Sequence, residues 1–311
     1  MTNDTIGVDI SKPTLDAFRL RTREHQQFPN DRAGCTALIR WIGKEAVRVV
    51  FEPTGPYHRL FEASLVAAGI EAVKVNPRSS RRFAEATGEL AKTDRIDAAI
   101  LARMGAVLDL EGRPAKSETL HDLRELGVAR QALVKDRIAA TNREQIALNP
   151  VIKRQLRARL KQIGIQLKEI DAAIATLVDI DPGLSRRRDV LASIPGIGTV
   201  TAMAILIEMP ELGTLDNKQA ASLAGLAPMT RQSGTWSGRA RIRGGRRSLR
   251  TALYMPALVA LRFNPDLKKK YQDLKEAGKP SKVAITAIMR KLLVLANALL
   301  RDDRKWNAKA A

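Results

Sequence analysis

Apolar and polar positions follow different periods in successive stretches of this 311-residue chain. Up to about Asn76 the apolar runs are short and bounded by turn-forming residues, which is the signature of strands. Ile6 to Ile10 reads as a buried strand, Leu15 to Leu20 and Glu24 to Phe28 as two further extended segments of a meander, and Val47 to Phe51 and Ile70 to Val75 as later strands. Ala33 to Ile42 and Tyr57 to Ala68 carry helical spacing. A three-strand meander followed by strand-helix-strand alternation predicts an α/β sheet of ribonuclease-H-like order. Asp9 and Glu52 then fall at neighbouring strand ends.

Pro77 to Gly88 lacks an apolar face and predicts a loop or irregular helix carrying Arg78, Arg81 and Arg82. Thr93 to Val107 returns to helical spacing, with Ile96, Ile100 and Met104 on one stripe and Thr93 as N-cap. Gly112-Arg113-Pro114 predicts the end of a first domain, residues 1–112. Ser117 to Asn149 predicts one long helix, and Val151 to Asp179 a second whose apolar residues alternate by four and three: Leu156, Leu160, Ile163, Leu167, Ile170, Ile174, Leu177. That seam predicts a coiled-coil connector over 113–182, folded into an antiparallel hairpin at Asn149-Pro150. In the earlier arm Leu120, Leu123, Leu126, Leu133 and Ile138 are less regular. Lys279 to Leu300 has the spacing of a core helix in a third domain, 183–311.

Charge changes this picture most. The 53 Lys and Arg against 33 Asp and Glu leave a net +20, which points to a nucleic-acid partner ahead of an anionic membrane surface. Aromatics at 4% argue against binding mainly by base stacking, so phosphate contacts must dominate. Cys35 is the only cysteine, which excludes an intramolecular disulfide and cysteine-rich zinc sites. His25, His58 and His121 are scattered without ligand spacing. The chain shows neither a signal pattern nor a long apolar run, and the expectation is a cytoplasmic protein with no membrane association.

Two places carry candidate chemistry. Asp9, Glu52, Asp94 and Asp97 are acids at strand and helix ends of a cationic chain, and a divalent metal is the natural bridge between them and a polyanion. Asp94 and Asp97 are three apart in a helix, so they project from one side. As a pair alone they would read as acids favoured by the helix dipole. The second place is Arg231 to Arg250, with seven arginines (231, 239, 241, 243, 246, 247, 250), no acid, and glycines that forbid a continuous helix. It predicts a loop or hairpin carrying guanidinium groups toward phosphates, with Ser233 beside Gly234. Upstream, Pro195-Gly196-Ile197-Gly198 looks like the turn of a helix-hairpin-helix element, in which Gly196 and Gly198 let backbone N–H groups reach a phosphate.

Gly7-Val8-Asp9-Ile10-Ser11, Glu52-Pro53-Thr54-Gly55-Pro56-Tyr57, Lys92-Thr93-Asp94-Arg95-Ile96-Asp97-Ala98, Ile194-Pro195-Gly196-Ile197-Gly198, Gly225-Leu226-Ala227-Pro228 and Gln232-Ser233-Gly234, in that order, resemble the DEDD transposases of the insertion-sequence one-ten family, relatives of the Piv DNA invertase. The resemblance implies an α/β plus α architecture: a RuvC-like, ribonuclease-H-fold N-terminal domain, a coiled-coil connector and a mainly helical C-terminal transposase domain. It implies that Asp9, Glu52, Asp94 and Asp97 bind one or two Mg²⁺ and that Ser233 is the nucleophile; from charge and glycine placement, Arg78, Arg81, Arg82, Gly196, Gly198, Arg239, Arg241, Arg243, Arg246, Arg247 and Arg250 are expected to contact nucleic acid. The implied partners are donor and target double-stranded DNA, a structured bridge RNA and a homotetramer. A metal-only nuclease or junction resolvase, and a non-catalytic nucleic-acid scaffold, are the competing readings.

Overall fold

A computed structural model describes residues 4–43, 47–112 and 117–307. The chain divides into two compact units, Met1–Lys116 and Ser117–Ala311. Arg113 and Pro114, expected to end the first domain, lie outside the described residues.

The first unit is a five-stranded sheet in the order β3-β2-β1-β4-β5. Strands β1 (Asp4–Ile10), β2 (Thr14–Arg19) and β3 (His25–Pro29) form the antiparallel meander, and β4 (Val47–Phe51) and β5 (Glu71–Lys74) add in parallel beside β1. Side chains alternate between the two faces of such a sheet, and helices cover both. Ile6, Val8, Ile10, Leu15, Val49 and Phe51 form one core cluster with Leu38 and Ile42 of α1 (Arg32–Ile42) and Phe61 and Leu65 of α2 (Arg59–Ala67). On the other face Val50 and Val73 meet Leu101 and Met104 of α4 (Asp94–Val107), with Phe83 of α3 (Pro77–Ala86) beside them.

Helix α4 can lie this close because Gly7 has no side chain. A Cβ there would sit 1.9 Å from the Ala98 carbonyl oxygen and 2.4 Å from the Ala102 nitrogen. The sheet and the helix therefore meet backbone to backbone at Gly7, two residues before Asp9.

The Pro77–Gly88 expectation is corrected: α3 is a regular helix over Pro77–Ala86. The Asn76 side chain accepts the Arg78 N–H at 2.9 Å, and Pro77 stands in the first turn, where its missing N–H has no partner to lose.

The second unit begins with α5 (Glu118–Ile146) and α6 (Pro150–Ile180), which pack along each other. Ion pairs Arg130–Asp171, Asp136–Arg159 and Glu144–Arg157 run in opposite directions along the two helices, which makes them an antiparallel hairpin. Exposed pairs of this kind contribute about 0–1 kcal/mol each, so the apolar seam holds the hairpin. Ile163, Leu167 and Ile174 of that seam are buried, and Leu156, Leu160, Ile170 and Leu177 partly so. Ile138 of the earlier arm instead faces solvent.

Asp181 ends α6 and caps α7 (Pro182–Ala192), accepting the Leu184 N–H at 3.0 Å. The remaining helices are α8 (Thr199–Glu208), α9 (Asn217–Leu223), α10 (Arg247–Phe263), α11 (Pro265–Glu276) and α12 (Ser281–Arg301). One core joins Val190, Leu191, Ile205, Leu206, Leu253, Ile288, Leu292 and Leu293 to Leu123, Ile174 and Val178 of the hairpin. Helix α12 is long and apolar enough to cross a membrane, yet half of its apolar window is buried in this core. Between α9 and α10 stand four two-residue strands, β6 (Pro228–Met229), β7 (Gln232–Ser233), β8 (Trp236–Ser237) and β9 (Arg241–Ile242), nested as an outer and an inner hairpin.

Candidate active site

The acids come together by backbone placement. Val8 of β1 pairs with Phe51 of β4, so the next residues, Asp9 and Glu52, leave adjacent strand ends side by side. Asp9 shares a sheet face with Gly7, the face covered by α4. Thr93 caps α4 by accepting the Ile96 N–H at 3.3 Å, which puts Asp94 and Asp97 in the first turn. The four acids thus lie at the C-terminal end of β1 and β4, close enough for the charges of Asp97, Asp94 and Glu52 to act on Asp9.

Their electrostatics record that convergence. Burial raises the Asp9 carboxyl to about 6, with the charges of Asp97 and Asp94, and more weakly Glu52, adding to the rise and a hydrogen bond from the Ile10 backbone opposing it. Asp97 is also raised, by burial first and by Asp94, while the cations Lys92 and Arg81 pull it down. Like charges packed this way disfavour their own ionisation, and a bound cation reverses the sign of that interaction. The donor set is all carboxylate oxygen, which suits a hard dication such as Mg²⁺. Among the described residues no three ligand side chains are drawn into metal-binding geometry. The site fits such an ion in charge and donor chemistry.

Glu52 has a partner that the sequence pattern did not reveal. The Ser80 hydroxyl donates to Glu52 Oε2 at 2.7 Å and to the Pro77 carbonyl at 3.0 Å, and Ser80 is only 7% exposed. A serine in an arginine-rich segment gave no signal of this; an assigned helix over Pro77–Ala86 would have turned it inward. Arg78, Arg81 and Arg82 are exposed on the same helix, and Arg81 pairs with Glu85 at 3.2 Å.

The second set of residues lies on the β-arm. Its inner hairpin pairs Gln232 with Ser237 and Ser233 with Trp236 around Gly234-Thr235. Gly234 has φ +55°, the positive value that a two-residue II′ turn demands at its first central position. Ser233 is exposed beside that turn, together with Arg231, Arg239, Arg241 and Arg243.

The arm is fixed at its root. Gly225 and Gly245 cross so closely that a Cβ at 245 would lie 2.1 Å from the Gly225 nitrogen. The Arg246 N–H donates to the Leu223 carbonyl at 2.8 Å, and its guanidinium donates to the Glu208 carbonyl at 2.6 Å and pairs with Glu211. Arg250 donates to the carbonyls of Ala224 and Gly244.

The loop expectation is corrected at its C-terminal end, where a helix begins. Arg247 and Arg250 stand on α10, and the guanidinium groups of Arg246 and Arg250 brace the arm; Arg239, Arg241, Arg243 and Arg247 are the exposed cations of the expected set. Arg187 likewise donates within the protein, to the carbonyls of Pro210 and Leu212 between α8 and α9 at 2.8 and 2.7 Å, and burial lowers its pKa. Gly196 lies in the α7–α8 turn with φ +99°, and a Cβ would come 2.6 Å from the Pro256 carbonyl of α10, so the packing of α10 also requires glycine there. Gly198, at the N-terminus of α8, has open space around it.

Comparison with known proteins assigns both halves to one class. Residues 6–152 match a transposase family model, and residues 188–272 match that of the transposase IS116/IS110/IS902 family. The pilin gene-inverting proteins of Moraxella bovis and Moraxella lacunata are each 30% identical over 99% of this chain and 99% of their own length. The IS110 uncharacterized 43.6 kDa protein of Streptomyces coelicolor is 31% identical over 51% of this chain and 39% of its own. The comparisons define a DNA transposase of the recombinase kind. The chain belongs to the IS110 family of transposases.

Proposed function

We propose that this enzyme is a site-specific DNA recombinase that cuts and rejoins strands through Ser233, with Asp9, Glu52, Asp94 and Asp97 holding one or two Mg²⁺. The observation that carries the reading is the placement of four acids at the C-terminal end of β1 and β4 and the first turn of α4, where burial and the charges of Asp97, Asp94 and Glu52 raise Asp9 to about 6. When bound, the ion neutralises phosphate charge and favours the ionised form of an attacking or leaving hydroxyl.

The chain's own residues supply the remainder. Ser233 Oγ forms a bond to phosphorus as one strand oxygen leaves with the electron pair and takes up the proton that the serine releases, and a hydroxyl of the new partner strand later displaces the serine and gives up its proton to it, so no net hydrolysis occurs. The exposed arginines of the arm offset the charge that builds on the non-bridging oxygens. Ser80 keeps Glu52 oriented. The full-length relatives are named for inverting a gene, which supports rejoining over simple cleavage.

The sheet order β3-β2-β1-β4-β5 supports a RuvC-like ribonuclease-H fold for 1–112, and the covered heptad seam supports a coiled-coil connector over 113–182 ahead of the transposase domain at 183–311. A net +20 supports a nucleic-acid substrate, DNA, while the structured bridge RNA as guide rests on the family resemblance, with the RNA read by its A-form backbone while base pairing selects the sequence. Assembly as a tetramer in the cytoplasm completes the reading. Incubation of the protein, its co-purified RNA and a labelled duplex, followed by denaturing electrophoresis, tests it. A covalent protein–DNA species absent from Ser233→Ala is expected; undiminished strand cleavage by that variant would instead identify a metal-only nuclease.

A further inference from the structure

The arm holds a residue that the proposed chemistry does not use. Ser233 pairs directly with Trp236, so their side chains leave the same face of the inner hairpin with Cβ atoms about 5 Å apart. Gln232 and Ser237 take the opposite face, where the Gln232 amide donates to the Ser237 hydroxyl at 3.2 Å. Trp236 is 56% exposed, in a chain with only 3 tryptophans.

Its ring lies against the arm's backbone. It leans along the strand over Gly238, where a Cβ would lie 2.4 Å from the ring and 2.9 Å from the Arg231 carbonyl oxygen. The φ of Gly238 is not in the left-handed region, so glycine is required here by the ring and the crossing backbone. One edge of the indole therefore rests on the arm while more than half of it is open. Arg231, Arg239, Arg241 and Arg243 are exposed on the same arm, and no acid occurs between Arg231 and Arg250.

We propose that Trp236 is a stacking platform for a nucleobase adjoining the phosphate that the arm binds. The cations select a polyanion, and the indole offers a π-face on the side from which Ser233 projects. A polynucleotide strand is the ligand that carries both complements. Stacking tolerates any base, so Trp236 positions the strand without reading its sequence. The base must leave its duplex neighbours to stack, and a single strand should therefore engage the ring more fully than a duplex. The identity of the bound phosphate as the scissile one rests on the Ser233 reading; the stacking contact does not.

Trp236 can be followed alone in the full-length Trp41→Phe/Trp306→Phe protein. Its emission should be quenched by a mixed-sequence single-stranded oligonucleotide, with saturation measured independently by the anisotropy of a label on that oligonucleotide. In the otherwise wild-type protein, Trp236→Ala should weaken this binding by roughly five- to a hundredfold, and Trp236→Phe should restore most of it. Gly238→Val, which displaces the ring, should resemble Trp236→Ala. Unchanged emission at saturation, or wild-type binding by Trp236→Ala, would overturn the proposal. Ser233→Ala should leave the quenching intact. Quenching without any covalent adduct would retain the platform and remove the nucleophile, and an adduct without quenching would do the reverse.

Discussion

The four acids and the serine arm are held by different physics. Asp9, Glu52, Asp94 and Asp97 stand on the ends of elements whose interiors are packed: Val8 and Phe51 are fully buried, and Leu101 is 2% exposed. Ser233 stands on a strand of two residues whose pairing partners are all exposed. Its position comes from backbone crossings at the arm's root and from a glycine turn at its tip. The acids are placed by burial, the serine by sterics and turn chemistry. A packed core is rigid and tolerates repulsive carboxylates; an exposed arm can follow a strand of nucleic acid.

That contrast can be broken first at its chemistry. Ser233→Ala and Asp97→Asn should each lower strand exchange by roughly a thousandfold or more with unchanged circular dichroism, since both are required by one reaction. If Asp97→Asn retained full activity, the acid cluster would be structural only. A smaller effect is expected from Ser80→Ala. Removing the hydroxyl that orients Glu52 should lower activity roughly ten- to a hundredfold, as loss of a ligand's supporting hydrogen bond does, and raise the Mn²⁺ concentration needed for half-maximal rate. An unchanged metal dependence would deny Ser80 that role.

Much of the acid half was legible in the sequence, and for a stated reason. Strands β1 to β5 and helix α4 have apolar faces and Thr93 is a cap, so period and capping place Asp9 and Glu52 at neighbouring strand ends and Asp94 and Asp97 in one helical turn; the contact at Gly7 that brings α4 beside them was not legible. Helix α3 was not legible by period because Arg78, Ser79, Ser80, Arg81 and Arg82 present no stripe; only Asn76 and Pro77 announce it. On the arm the glycines announced a hairpin. Which arginines brace it was not legible, since the acid that Arg246 meets, Glu211, lies far away in sequence and the carbonyls that hold Arg250 depend on the chain crossing at Gly225.

Two stability measurements sharpen the comparison further. Gly7→Val should destabilise the first unit by about 1–3 kcal/mol or more, because its Cβ has no room against Ala98 and Ala102 and overpacking displaces α4. Urea unfolding checks this, and wild-type stability would contradict the backbone contact. Asp9→Asn should do the opposite. The folded protein holds the Asp9 proton up to about pH 6, whereas an ordinary aspartate releases it near 3.8. Below pH 4 both states are protonated and the substitution is neutral; its gain grows from pH 4 to 6 and is constant above. With solvent screening the plateau should be about 1–2 kcal/mol in the absence of divalent metal. Mn²⁺ should raise the melting temperature of the wild type and leave Asp9→Asn nearly unmoved. Equal metal shifts in both proteins would remove Asp9 from the binding site.

The central claim is that the arm supplies the bond-making atom. Digestion of the trapped adduct with trypsin after nuclease treatment should release the peptide from Gln232 to Arg239, which contains both Ser233 and Ser237. Fragmentation in the mass spectrometer should place the nucleotide remnant on Ser233. A remnant on Ser237, or none on this peptide while cleavage proceeds, would contradict the account.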